Sequence, residues 1–319
     1  MSAEVVSIGR VNVDVVMRVE SLTGTDHHFT GQDGYIAFGG SASNFAAQSA
    51  KLGVKTALLS CVGSDLYGQV ILRELARIGV DTRLVLTLDK QQTGIFTYIY
   101  DANRNEMVIV EPGANKFVEK HLLEESMLEG TSTIHLAGAF PMMTRRAAEI
   151  ATVNGMVLSI DPGRAAASLS FNEVLPHTDL LFLNQRELRE YFGMEASEAE
   201  LRRLAKTFPG ILVVKLAERG AVATDGFEYC ESRAFDVQVA DTMGAGDSFA
   251  AGFVAAWTRS ENIEQALNVA NAVAALTITQ RGAQEGQPNL EQLERFLAKY
   301  DISIGTIARA LRPERRGTK

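Results

Sequence analysis

Short apolar runs of strand length alternate along this chain with segments of helical period, and that rhythm admits few architectures. Glu4–Gly9, Thr56–Val62, Thr133–Ala137, Met156–Asp161, Leu180–Leu183 and Ile211–Leu216 read as buried strands. Between them Ser43–Leu52, Gly68–Ile78, Arg145–Val153, Glu187–Phe192 and Glu198–Thr207 carry helical spacing. In the first of these, Phe45, Ala46, Ser49 and Ala50 fall close to one face, and Gly53 and Gly79 stand where the first two helices should stop. Strand–helix–strand repetition predicts βαβ units, hence an α/β fold with a doubly wound, mostly parallel sheet covered by helices on both faces. No repeat or low-complexity linker divides the chain, so residues 1–319 are expected to form one domain.

Two segments break the rhythm. Val11–Phe38 alternates polar and apolar residues over short stretches without helical period, and Thr93–Val110 reads as a β-hairpin turning at Asp101–Asn105. Paired, residues 11–38 and 93–110 would make a small β-sheet lid standing off the main sheet. A sheet with one bare face must cover something, either a substrate or a second subunit.

Composition excludes several roles. A net charge of −8 and a pI near 5.3 argue against nucleic acid, whose phosphates need concentrated Lys and Arg. No apolar run is long enough to span a bilayer, so no membrane partner is expected. The first residues, MSAEVVSIGR, lack a basic region ahead of a long apolar stretch and read as a first strand, not a signal peptide. Cys61 and Cys230 lie far apart and form no metal pattern, as in a reduced cytoplasmic protein. The end of the chain, 308–319, carries Arg309, Arg312, Arg315, Arg316 and Lys319 and reads as a solvated basic tail.

The chemistry is concentrated in Asp241–Phe253, DTMGAGDSFAAGF. A strand-like stretch, Phe235–Val239, precedes it, and a helix follows with Phe249, Phe253, Ala256 and Trp257 on one stripe. Gly244, Ala245 and Gly246 would then open a helix, where small residues let backbone N–H groups approach an anion and the dipole favours negative charge. Such a pocket suits phosphate oxygens, above all those of a phosphoryl group in flight. Asp247 beside it would repel a merely bound phosphate. It is useful as a base that takes the proton from a hydroxyl attacking the γ-phosphorus in line. An acid in a first helical turn is also mildly stabilising in itself; the GAGD setting after a strand favours catalysis. The chain has no GxxxxGK[ST] and no GxGxxG after its first strand, which sets aside a Walker-A enzyme and a dinucleotide dehydrogenase.

These residues resemble the ribokinase-like (PfkB) family of carbohydrate and nucleoside kinases. DTMGAGD is similar to the family's DTxGAGD signature, and the stretch from Gly39 to Gly68 to its N-terminal GGxxxN signature. Their order and separation fit, and the resemblance runs from about Val5 to Pro288. It implies Asp247 as the base and Gly244, Ala245 and Gly246 as the anion hole. Asp14, in RVNVDVV, matches an early Asp that binds substrate hydroxyls, a carboxylate being a bidentate acceptor for a diol. Asn12 lies on the same side of that strand, and Gly39, Gly40 and Asn44 match further substrate contacts. Asn184 and Glu187, in NQRE, resemble an NxxE element that holds the magnesium–phosphate assembly, largely through water. Lys215 and Gly220 match a strand and loop that meet the nucleotide, with Ala217 where the family often has Gly. Asn271 matches a segment lining the adenine pocket, and Gly282 and Ala283 follow it. The resemblance further implies Mg2+, ATP as donor with ADP as the alternative, and a sugar or nucleoside acceptor. It also implies a lid that excludes water and pairs the chain into a homodimer.

The acceptor is less defined. GGSASN is nearer to the nucleoside-kinase-like and archaeal-type branches than to ribokinase, which typically shows GGKGAN. Arg10 occupies a position more often small or acidic in relatives, and Arg164 follows DPG at another strand end. Arg10 or Arg164, with lid residue Arg104, is expected to grip a phosphate already on the substrate, as in a ribose 1-phosphate kinase. Surface ion pairs are the alternative reading for each of them. His27 and His28 fall in the lid. A sugar or nucleotide sensor without turnover is the rival to an enzyme, and the intact Asp247 argues against it.

Overall fold

The computed structural model describes residues 3–22, 28–103 and 105–312. The main sheet begins with β1 (Val5–Gly9). The small sheet supplies β2 (Asn12–Arg18) and β3 (Gln32–Gly39). The main sheet resumes with β4 (Thr56–Gly63) and β5 (Val85–Leu88), the small one with β6 (Gly94–Tyr100) and β7 (Glu106–Glu111). Six further main-sheet strands follow: β8 (Thr133–Ala137), β9 (Val157–Asp161), β10 (Leu180–Asn184), β11 (Ile211–Lys215), β12 (Ala221–Thr224) and β13 (Tyr229–Ser232). The nine strands run in the order β13-β12-β11-β10-β9-β8-β1-β4-β5. From β5 to β11 all pairings are parallel; β12 runs antiparallel to both neighbours.

Helices cover both faces. They are α1 (Ser41–Lys51), α2 (Leu66–Ile78), α3 (Pro141–Asn154), α4 (Phe171–Val174), α5 (Gln185–Phe192), α6 (Glu198–Ala205), α7 (Ala245–Ser260), α8 (Ile263–Thr277), α9 (Leu290–Ala298) and α10 (Gly305–Leu311). Strand alternation divides the core between the two faces. In β10, Leu181 and Leu183 join Val6, Ile8, Leu59 and Leu136 on one face, while Leu180 and Phe182 meet Phe45, Phe249 and Phe253 on the other. Phe182 receives Phe253 edge-on with ring centres 5.5 Å apart. Both sides of the sheet are therefore buried, which is why its strands read as continuous apolar runs.

The small sheet has the order β3-β2-β6-β7, with β2 and β6 parallel and the outer pairs antiparallel. It is the lid expected from residues 11–38 and 93–110, and β6 and β7 turn where the hairpin was expected to turn. Two side chains fasten it. Asn115 takes the N–H of Val11 at 3.0 Å and returns its own amide to the Val11 carbonyl at 2.9 Å. Asp65 caps α2 by accepting from Gly68 N at 2.9 Å and also receives Thr93 N and Oγ1 at 2.6 and 2.8 Å.

Two expectations need correction, and three strands were missed. Phe235–Val239 joins no ladder; it runs along the edge of a cavity. β5, β12 and β13 were not legible, because four-residue strands carry too little pattern. The chain does not fray from Ala308: α10 buries Ala308 and Leu311 in the core, and Arg312 pairs with Glu294 at 2.7 Å. The rest of that tail, residues 313–319, and Arg104 and His27 lie outside the described residues; His28 is exposed.

Candidate active site

Loops beyond the C-terminal ends of the parallel strands converge with the start of α7, the place where open α/β sheets bind ligands. Gly244 is the N-cap of α7 with φ +70°, and a Cβ there would lie 2.5 Å from the Ala283 carbonyl oxygen. Glycine therefore satisfies both the left-handed backbone and the close approach. The first N–H groups of α7 have no carbonyl one turn back within the helix, at the positive end of its 16 residues, and that of Ala245 reaches the Thr242 carbonyl at 3.4 Å.

This turn forms a wall between two cavities. On one side, 850 Å³ is lined by Asn184, Lys215, Gly220, Ala245, Gly246 and Asn271, together with the unpaired stretch around Phe235. On the other, 130 Å³ is lined by Arg10, Asn12, Asp14, Gly40, Asn44 and Asp247, with Phe96 and Tyr98 of the lid. At about 30 Å³ per water, the smaller cavity has room for a single sugar ring.

Asp14 and Asp247 are the acids of the smaller cavity. Asp14 is buried on β2 and accepts from Asn12 Nδ2 at 2.6 Å. Burial pushes its pKa up to about 7; the Asn12 bond opposes this, and the charges of Asp247, Asp241 and Glu285 add to it. Gly39 must stay glycine, since a Cβ would sit 1.9 Å from Asp14 Oδ2. Asp247 accepts from Asn44 Nδ2 at 2.8 Å. Its pKa is raised to about 6 by burial, with Asn44 and Lys215 opposing and Asp161 adding. A carboxyl at that value is ionised at neutral pH and still basic enough to accept a proton.

The larger cavity meets a charge cluster. Lys215 Nζ lies 2.5 Å from Asp161 Oδ2 at the ends of β11 and β9. A Cβ on Gly246 would come within 3.4 Å of the same nitrogen, so this ammonium lies just under the α7 N-terminus. Burial draws its pKa down, but Asp161 and Glu187 outweigh that and hold it above the usual lysine value. Asn184 and Glu187 form a capping box on α5, with Glu187 N bonded to Asn184 Oδ1 at 2.9 Å and Asn184 N to Glu187 Oε2 at 3.0 Å. Glu187 is thus fixed by one oxygen, and burial and the charge of Asp161 raise its pKa. Asp161, Glu187 and Asp247 around one ammonium leave an excess of negative charge, a donor set that fits a hydrated divalent cation. Among the described residues no group of three or more His, Cys, Asp or Glu is close enough to chelate an ion directly.

Other expected residues fall differently. Asn271 lines the larger cavity but its amide is committed to Ser232 O, Ser232 Oγ and Arg233 O, so it pins the adjoining loop and offers only its carbonyl oxygen. Gly282 is not on that cavity: its N–H donates to Asp241 Oδ2 at 3.0 Å, and its neighbour Ala283 lines the smaller one. Arg164 is exposed in a 3-10 turn and lines neither cavity. Gly220, with φ +94°, brings the β11–β12 turn against Ser232, where a Cβ would meet the carbonyl oxygen at 2.1 Å.

Several contributors were not read from the sequence. Asp161 was taken only as a strand end. Gln284 and Gln287 hold Asn44 from behind, through its Oδ1 at 3.0 Å and its carbonyl at 2.8 Å. Tyr35, on lid strand β3, donates its hydroxyl to Asp241 at the head of the DTMGAGD segment. The polar spacing of GAQEGQ after α8 was the available signal for the glutamines; nothing local marked Tyr35.

Comparison with known proteins gives a consistent picture. The profile described as pfkB family carbohydrate kinase matches residues 2–290. An ATP-dependent ribose-1-phosphate kinase of Halopiger xanaduensis is 34% identical over 92% of this chain and 98% of its own. A ribokinase of Haemophilus influenzae is 30% identical over 91% and 97%. Among solved structures, a putative ribokinase II of E. coli in complex with ATP and Mg2+ superposes with a TM-score of 0.81 at 26% identity, covering 93% of this chain and 99% of that one. The nucleoside kinase of Methanocaldococcus jannaschii superposes with 0.83 at 24% identity, over 94% and 100%.

Proposed function

Since the chain belongs to the pfkB family of carbohydrate kinases and transfers the terminal phosphoryl group of ATP to a sugar or nucleoside hydroxyl, we propose that Asp247 is the base. The acceptor lies in the 130 Å³ cavity, gripped through vicinal hydroxyls by Asp14 and Asn12 and lined by Gly40 and Asn44. The nucleotide lies in the 850 Å³ cavity, its phosphates reaching Ala245, Gly246 and Lys215. The acceptor oxygen attacks the γ-phosphorus. A new O–P bond forms as the bond to the β–γ bridging oxygen breaks, ADP departs, and the hydroxyl proton passes to Asp247. The N–H groups of Gly244–Gly246 meet the charge that develops on the equatorial oxygens. Asp161 and Glu187 would hold Mg2+ through water, and magnesium bound there would supply positive charge against the transferring phosphoryl group.

One observation carries this reading: consecutive residues of a single helical turn line both cavities, Ala245 and Gly246 the larger and Asp247 the smaller. A base and an anion hole so placed face opposite sides of one transferring group. The test is to incubate the protein with magnesium and ATP or ADP and a panel of ribose, fructose, cytidine, adenosine and ribose 1-phosphate. Products are read by mass spectrometry with Asp247→Ala in parallel. Transfer by the wild type and its loss in the variant is expected; nucleotide binding without transfer to any acceptor would leave a sensor.

The lid supports a homodimer. Val15, Ile36, Thr97 and Ile109 are cross-strand neighbours and so share a face, opposite to that of Asp14 and Phe96. Ile36 and Ile109 are more than half exposed there, an apolar row of the kind that marks an interface. Ile36→Glu should shift a sedimenting dimer to monomer. A cytoplasmic location belongs to the same reading, and among the described residues no helix is long and apolar enough to cross a membrane.

A further inference from the structure

Behind Asp247 runs a chain of hydrogen bonds whose direction is fixed by the backbone. Ser43, on α1, places its hydroxyl 2.6 Å from the Gly39 carbonyl oxygen and 3.0 Å from that of Gly40. Carbonyl oxygens only accept, so the one hydroxyl proton is spent on them and the Ser43 oxygen can only accept in turn. Gln284 Nε2 meets that oxygen at 3.2 Å. The Gln284 amide must therefore face α1 with its nitrogen, and the same nitrogen reaches Asn44 Oδ1 at 3.0 Å. With its oxygen held there, Asn44 turns Nδ2 to Asp247 Oδ2 at 2.8 Å. Ser43, Asn44 and Gln284 are all buried, so water has little access to replace any of them.

The last link matters because the two ends of an amide are alike in shape and opposite in hydrogen-bonding sense. With its nitrogen toward Asp247, Asn44 stabilises the ionised carboxylate. With its oxygen there, the contact is satisfied only when Asp247 already carries a proton, and such a carboxyl is no base. Asp247 selects the first arrangement only while it is ionised. Gln284 selects it at every stage of the reaction. Its loop is tied on both sides: Lys51 Nζ donates to the Gln284 carbonyl at 2.6 Å, and Gln287 Nε2 donates to the Asn44 carbonyl at 2.8 Å and to Ser248 Oγ at 3.0 Å. Gln284 itself lines neither the acceptor nor the nucleotide cavity.

Resting on the reading of Asp247 as the base, we propose that Gln284 is a positioning residue of the transfer reaction. Through Ser43 it takes its orientation from the backbone of Gly39 and Gly40, and it keeps the nitrogen of Asn44, never the oxygen, against the base. The loop after α8 thus acts on the chemistry without touching a reactant.

The experiment measures kcat with magnesium–ATP and the acceptor that the wild type phosphorylates. Gln284→Ala removes the donor and should lower kcat about tenfold, the worth of one hydrogen bond. Gln284→Glu keeps the length but, ionised, offers only acceptors. It draws the Asn44 nitrogen to itself and turns the oxygen to Asp247, so at pH 8 kcat should fall about a hundredfold or more, as for a lost general base. A side chain that merely filled space would rank the two the other way, glutamate being the milder change. In an Asn44→Leu background the further loss from Gln284→Glu should shrink below about threefold, whereas a loss due to the added charge alone persists there. Gln284→Glu at least as active as Gln284→Ala, or a loss that persists with Asn44→Leu, overturns the inference. If Gln284→Glu does not fold, Gln284→Met takes its place and should lose kcat as Gln284→Ala does; wild-type kcat in it overturns the inference as well.

A second readout needs no turnover. The side-chain amide resonances of Asn44, assigned by their loss in Asn44→Leu, should shift on Asp247→Ala in otherwise wild-type protein and stay in place on the same change in Gln284→Glu. Resonances that ignore Asp247→Ala in the wild type overturn the inference even where no acceptor is phosphorylated. The two failures separate. Transfer lost in Asp247→Ala but kept at the wild-type rate in the Gln284 variants removes only the role of Gln284. Transfer that survives Asp247→Ala removes the base reading and this inference with it.

Discussion

The side-chain amide of Asn44 donates to Oδ2 of Asp247 at 2.8 Å, joining residues 203 positions apart in sequence. The first helix of the chain thus orients the carboxylate that opens α7, and both signature segments act on one oxygen. Gln284 fixes the other end of the Asn44 amide, which settles which way it points.

Asp247→Asn should lower kcat by about 10²–10⁴ with the fold intact, the range for a lost general base. With a pKa of about 6, the wild-type carboxyl loses its proton across that value, so kcat/KM should rise with pH and level off above it. The Asn44 hydrogen bond lowers that pKa. Asn44→Ala should therefore move the rise to higher pH as well as reduce the plateau. A pH–rate profile of both proteins checks this; an unmoved midpoint would contradict it.

Stability should run against activity. Asp14 and Asp247 titrate in the folded protein near 7 and 6, above the ordinary carboxylate range. Between about pH 4 and 7 these two carboxyls hold more protons in the folded chain than in the unfolded one, so their contribution to stability falls as pH rises through that window. Asp14→Asn should raise stability at pH 7.5 by on the order of 2 kcal/mol, with the gain vanishing near pH 4. Urea denaturation at the two pH values measures it.

The Asp161–Lys215 pair is nearly buried, with side chains 11% and 16% exposed. Removing one partner strands the other charge, at a cost of about 3–5 kcal/mol. Asp161→Ala should show that loss in thermal unfolding and weaken nucleotide binding, because the Lys215 ammonium no longer has a fixed place under the α7 N-terminus.

Tyr35→Phe should loosen the lid without disturbing the main sheet. The variant loses the hydroxyl that reaches Asp241, while Asp241 keeps its bonds from Gly282 N and Met243 N. Faster amide exchange confined to residues 12–18 and 32–39, with a several-fold higher acceptor KM, is the expected result. Unchanged exchange there would mean that Asn115 and Asp65 hold the lid unaided.

Much of this was legible because local chemistry and tertiary role agree. The parallel strands announce themselves as apolar runs because both faces of the sheet are covered, and the glycine-rich turn of Gly244–Gly246 with Asp247 opens a helix where the sequence places one. The rest depends on distant partners. Phe235–Val239 alternates like a strand, yet its neighbours leave it unpaired beside a cavity. Asp161 looks like any strand end until Lys215 is set against it. Among the arginines, only three-dimensional placement separates Arg10, which lines two cavities, from exposed Arg164.

The order of the main sheet bears on how the chain is made. From β8 to β13 each new strand is added beside the one before it, so a growing polypeptide can extend its sheet outward as it leaves the ribosome. Asn44, in the stretch proposed to hold the acceptor, emerges first, and its partner Asp247, the proposed base, arrives some two hundred residues later. A translation product cut short before α7 would therefore carry the residues proposed to hold the acceptor without the turn proposed to meet the nucleotide.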